Sequence, residues 1–149
     1  MNLSAFFSHW DEIHEGTLSV LDRFNEAELS YTAYECGWSV GQIALHIANA
    51  EEGWFRTIAT KELAQWPEGH TTDNYPTKES IKDLLKETHA KTMAYLNTLT
   101  SDDLDQIVQS EWGNFSLQFI VWHVIEHEIH HRGELSLVLG ILGLEGLDV

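Results

Sequence analysis

Between Ile120 and Ile141 one face of a helical repeat reads Ile120, His123, Val124, His127, His131, Glu134, Val138, Ile141. Residues four apart share a helix face, so three imidazoles and a carboxylate occupy the middle of a stripe whose two ends are apolar. Apolar ends turn that stripe toward other elements, and each neutral polar group buried there without a partner costs about 1–3 kcal/mol. The chain must fold so that something faces the histidines. Three things can: a metal ion, a hydrogen-bond network with Glu126, Glu128 and Glu134, or solvent along a surface strip. The spacing favours the metal, because imidazoles one turn apart can meet one ion at roughly 2.0–2.1 Å from each nitrogen while another ligand arrives from elsewhere.

The remaining chain reads as helices that could supply that ligand. Leu3, Phe6, Trp10, Ile13, Thr17, Val20, Leu21 and Phe24 recur at three- and four-residue steps and predict a first amphipathic helix over Leu3 to Phe24. His9 and His14 lie among Asp11, Glu12 and Glu15 and are expected to be solvated or locally paired. A polar connector over Asn25 to Gly37 follows. Ser39-Val40-Gly41-Gln42 has the form of a capping box and opens a second helix running to about Ala64, with His46 on the edge of its apolar stripe. Gln65 to Pro76 is a long loop that can lie over a pocket with Trp66 and Tyr75 as walls. Thr77 caps a third helix whose outer face, His89 included, is expected to be solvated. Ser101 to Leu104 is a short helical turn, Gln106 to Phe115 an irregular crossing, and Ser116 caps a last helix ending near Leu139, before Gly140 and Gly143. Four long helices joined by one polar connector and two longer crossings predict an all-α four-helix bundle, a single domain over residues 1–149.

Charge narrows the partners. With 24 acidic against 8 basic residues and a net charge of −16, the chain is a poor match for a nucleic-acid backbone or an anionic membrane surface. No apolar run approaches the roughly 18 residues that span a bilayer, and the start Met1-Asn2-Leu3-Ser4 lacks the basic residues of a signal peptide, so a cytoplasmic location is expected. The single cysteine, Cys36, fits a reducing compartment and reads as a small loop residue before Trp38. The string His127-Glu128-Ile129-His130-His131 has metalloprotease spacing, but no third ligand of that type follows.

Two stretches resemble the DinB-like (DinB/YfiT) superfamily: Trp38-Ser39-Val40-Gly41-Gln42-Ile43-Ala44-Leu45-His46, a Trp-led helix with one histidine, and His127-Glu128-Ile129-His130-His131-Arg132-Gly133-Glu134, close to the pattern His-x-x-x-His-Arg-Gly-Gln. The resemblance covers almost the whole chain, and the His-Arg-Gly run is its most specific part. It implies a four-helix bundle holding a divalent metal, zinc or nickel foremost, on His46, His127 and His131. It also implies a homodimer and an activity like that of relatives that use low-molecular-weight thiols such as bacillithiol or mycothiol. Glu134 departs from the usual Gln, and His123 is an additional histidine.

Three neutral imidazoles leave an ion a free position, where a bound thiol or water is acidified. The resulting expectation is a metal-dependent transferase in which an external thiol attacks a small electrophile, with Glu134 or His123 accepting the thiol proton. The alternatives are hydrolysis of a small ester, amide or lactone, and a metal-stabilised protein without catalytic activity.

Overall fold

Four long helices carry the architecture of the computed structural model, which describes residues 1–148. After a short turn α1 (Leu3–Phe6) come α2 (His9–Asp22), α3 (Val40–Glu52), α4 (Lys78–Asn97) and α5 (Leu117–Ile141), with a small hairpin of β1 (Ile107–Ser110) and β2 (Gly113–Ser116) ahead of α5. Side-chain caps start the helices where the sequence places them. Ser39 and Gln42 exchange side-chain-to-backbone bonds in a capping box, Thr77 and Ser80 do the same, and the Ser116 hydroxyl accepts from the Phe119 N–H.

Three expected boundaries differ. The first helix is interrupted at Phe7–Ser8, where the apolar phase slips by one residue: Phe7 is 4% exposed whereas Phe6 is 52% exposed. The Leu3 N–H bonds the Leu99 carbonyl at 2.9 Å, which ties the separated turn to the end of α4. The second helix does not continue to Ala64. It widens into a π-helical turn over Gly53–Ala59, with the Thr60 N–H reaching the Phe55 carbonyl at 2.8 Å, and Lys61 at φ 58° ends it. The crossing before α5 is not irregular but an antiparallel hairpin, pairing Ile107 with Ser116 and Ser110 with Gly113. Its two-residue connection is closed by Gly113 at φ 133°, a backbone region that disfavours any other residue.

Each of α2 and α3 packs on both α4 and α5, so the order around the bundle is α2–α5–α3–α4, with α2 diagonal to α3 and α4 diagonal to α5. The interior has two apolar clusters. One holds Leu18, Leu21, Phe24, Ile43, Leu45, Leu85 and Leu139, and the other Leu3, Trp10, Phe55, Leu96, Ile120 and Val124. On every helix the residues between these clusters are buried and polar: His14 and Thr17 on α2, Glu51 on α3, Thr88, His89 and Thr92 on α4, and Glu128 on α5. This arrangement corrects the expected solvation of His14 and His89, which are 3% and 6% exposed. The acidic neighbours of His14 suggest a surface, but its partners at i−4, i+3 and i+4, Trp10, Thr17 and Leu18, are core residues. His89 similarly follows Leu85 by four and precedes Leu96 by seven, and that periodicity was the available signal.

Candidate metal centre

The packing of α3 against α5 brings His46, His127 and His131 together at the edge of the bundle. His46 borders the buried row Ile43, Ala44, Ile47 and Ala50, and it is half-buried, as are His127 and His131 one turn apart on α5. One ring nitrogen from each lies within 4.8 Å of the others, and the Nε2 atoms of His46 and His127 are 2.9 Å apart. Nitrogens sharing a tetrahedral ion at about 2.0–2.1 Å would stand roughly 3.3 Å from one another, so small side-chain rotations suffice to accommodate one.

Proton placement suits the same purpose. Glu134 Oε2 lies 2.8 Å from His131 Nδ1, which therefore carries the proton and donates it, leaving the Nε2 lone pair free. Burial, reinforced by His131 and the neighbouring imidazoles, lowers the pKa of His127 to about 3. Burial and then His131 also lower His46, against the opposing charge of Glu134. Both rings are neutral at pH 7 and offer lone pairs rather than charge.

A cleft of about 240 Å³ adjoins His46, lined by Trp38, Gln42, Asn49, His70 and Thr72 among others. The loop over residues 65–76 thus reaches the site, although its two expected wall residues stand behind the lining. Trp66 Nε1–H donates to Asn49 Oδ1 at 2.7 Å, and Tyr75 stacks on His70 at 6.0 Å between ring centroids. A Cβ on Gly53 would meet the Trp66 ring at 2.3 Å, so glycine at that point in the π-helical turn lets the loop settle. The His70 side chain is 8% exposed, with Nε2 2.9 Å from Glu52 Oε2 but off the hydrogen-bonding line. Burial lowers its pKa against the pull of Glu52. Trp38 meets His46 edge-on at 4.5 Å. Neither His70 nor Trp38 stood out as a site residue in sequence, because loop residues carry no periodicity. A larger cleft of about 390 Å³ between Glu52, Arg56, Lys91 and Tyr95 contains none of the three histidines.

The other expected residues are placed differently from one another. Glu134 joins the cluster through His131. His123 lies one turn before His127 in an aromatic stack, 4.7 Å from Trp54 and 5.3 Å from Phe119 between ring centroids. Glu128 turns into the core, where Trp10 Nε1–H at 2.7 Å, Thr17 Oγ1 at 2.8 Å and His14 Nδ1 at 3.0 Å bond it, which removes the metalloprotease reading of the string around it. Cys36 is exposed at φ 61°, outside the cleft lining. No helix among the described residues is long and apolar enough to cross a membrane.

A helical bundle with an imidazole cluster where two facing helices meet is a class of protein suited to binding a divalent metal. The sequence model of the DinB family matches residues 1–148, and the chain belongs to that family. It is 30% identical to YizA of Bacillus subtilis (strain 168) over 97 residues, a match spanning 62% of this chain and 57% of YizA. Its fold is similar to that of a DinB-like protein from Bacillus cereus ATCC 10987, with a TM-score of 0.80, 24% identity, and coverage of 99% of this chain and 97% of the other. It is also similar to YfiT from Bacillus subtilis, described as a probable metal-dependent hydrolase with an unusual four-helix bundle topology, with a TM-score of 0.59, 22% identity, and coverage of 89% and 87%.

Proposed function

We propose that the chain is a divalent-metal-dependent hydrolase of a small ester, amide or lactone, with His46, His127 and His131 as the metal ligands. The observation that carries this reading is the bond between Glu134 and His131 Nδ1, because it engages the nearby carboxylate with the outer nitrogen of a ligand and leaves three imidazoles as the donor set. Such a set keeps a coordination position open, as catalytic sites do. The description of YfiT as a probable metal-dependent hydrolase supports it by analogy of fold.

A divalent ion held by His46, His127 and His131 would supply Lewis acidity to this site. The chain's own residues do the rest. Glu134 fixes the tautomer and orientation of His131, a positioning role rather than the proton-accepting one expected of it. Trp38 packs edge-on against His46 and forms part of the cleft wall. His70, held neutral by burial and with both ring nitrogens buried, closes one wall of the cleft. The transferase reading needs an external thiol, since Cys36 is the only cysteine and lies outside the cleft lining. We assign the activity to the cytoplasm, where an exposed Cys36 stays reduced.

One assay separates these chemistries. Zn²⁺- or Ni²⁺-loaded protein is given activated esters and lactones with water alone, and electrophiles with glutathione, cysteine or bacillithiol. Hydrolysis that needs metal and disappears in His127→Ala is expected. Turnover only when a thiol is present would replace hydrolysis by thiol transfer, and full metal occupancy in His46→Ala would remove the proposed ligand set.

A further inference from the structure

The buried polar layer contains a second convergence of ligand atoms. His14 from α2, Glu51 from α3 and His89 from α4 each offer one ligand atom, these atoms lie within 4.8 Å of one another, and all three side chains are buried. Two of the converging residues carry atoms that nothing satisfies: His14 Nε2 and Glu51 Oε2 have no hydrogen-bond partner, in residues 3% and 1% exposed. Leaving such groups unpaired in a core is expensive, and most of all for a carboxylate.

Both imidazoles are backed by carboxylates on the side away from the convergence. His14 Nδ1 is bonded to Glu128 Oε1 at 3.0 Å, and His89 Nε2 to Asp11 Oδ1 at 3.1 Å. Each of those nitrogens carries a proton, so a lone pair can be presented inward from His14 Nε2, and from His89 Nδ1 once it gives up the proton it shares with Glu51 Oε1 at 3.2 Å. A carboxylate behind a histidine is the usual support of a metal ligand, fixing its tautomer and raising its basicity. Here it occurs twice around one point. The two rings also lie parallel, 4.2 Å apart and 10° from coplanar. An ion held in both ring planes requires the two imidazoles to tilt out of this stack toward one another.

We propose that His14 Nε2, His89 Nδ1 and the Glu51 carboxylate form a second divalent-metal site in the centre of the bundle, distinct from the cluster at its edge. Two imidazoles and one carboxylate suit a transition-metal dication such as Zn²⁺ or Fe²⁺. Binding releases the proton from His89 Nδ1 to solvent, and the ion takes up the free valences of His14 Nε2 and Glu51 Oε2. Because α3 carries both His46 and Glu51, and α5 carries both His127 and the supporting Glu128, an ion in the core also fixes the two helices that hold the outer cluster.

The test does not depend on the outer cluster. The His46→Ala/His127→Ala double variant is unfolded in urea, refolded with Zn²⁺ or Co²⁺ so that burial does not block entry, desalted, and measured by native mass spectrometry and elemental analysis. One ion per chain is expected in this variant and two in the unaltered protein, with the ion lost when Glu51→Gln is added. The Co²⁺ form should show the visible absorption of a nitrogen- and oxygen-ligated ion. A refolded double variant with no ion, as when a buried water bridges His14 and Glu51, overturns the proposal, as does an ion retained in a folded Glu51→Gln chain. Should Glu51→Gln not fold, the absence of a chelator-sensitive Tm in the double variant overturns it equally.

Discussion

The two histidine clusters use the same side chains in opposite surroundings. At the edge of the bundle, three half-buried imidazoles lie together, His46 beside a cleft, with one carboxylate, Glu134, whose side chain is 31% exposed. In the core, two imidazoles lie between the apolar layers with Glu51 and Glu128, whose side chains are 1% and 2% exposed. Burial lowers the pKa of His46 and His127 where carboxylates are few. In the core burial also opposes the charge on His89, but the hydrogen bond and charge of Glu51, with help from Glu128 and Asp11, outweigh it and raise the pKa to about 8. Carboxylate partners decide the protonation of a buried histidine more than depth does. On the proposed reading the edge cluster exchanges a ligand, while the core layer ties the four helices to one another.

The sharpest way to break this contrast is Glu128→Ala. It strips the acceptor from Trp10, His14 and Thr17 together, and a loss of about 3–5 kcal/mol is expected in urea unfolding. The same change at Glu134 should cost the metal-free protein under about 1 kcal/mol, because its partner bond is partly solvated. Equal losses at the two positions would erase the distinction between edge and core.

Glu134→Ala should instead weaken metal binding at the edge by about 10- to 100-fold, the usual effect of removing the group behind a ligand histidine. Competition titration with a chromogenic chelator measures it. Glu134→Gln should recover most of the loss, because its amide oxygen can still accept from His131 Nδ1. A charge-only role would be shown by failure of that recovery.

A further test is the pH dependence of the metal-free protein. His89 is raised from 6.5 to about 8, so its contribution is fully present below pH 6.5 and is lost as pH rises through 8. A shift of that size corresponds to about 2 kcal/mol. Urea unfolding in chelator at pH 6 and pH 9 should show that decline, and it should vanish in His89→Phe. A decline that survives the substitution would have another source.

Much of the scaffold was legible before any coordinates. Ser39, Thr77 and Ser116 announced three helix starts because capping is a local exchange between a side chain and the first turn. His127 and His131 announced a shared face because helix geometry relates residues four apart. The β-hairpin was missed because Glu111-Trp112 is not the turn sequence that marks a two-residue connection. The core layer was missed because charged neighbours in sequence obscured the apolar periodicity through His14 and His89.

By itself the sequence determined the four main helical segments, where three of them begin, and that two histidines of the last helix share a face, since these follow from short-range periodicity and capping. Only the tertiary structure decided that α2 and α3 each pack on both α4 and α5. That arrangement sets His46 against His127 and closes His14, Glu51, His89 and Glu128 into one layer. The physical reason is range: a helix wheel orders residues along one segment, whereas a ligand set drawn from several helices exists only once their crossings are fixed.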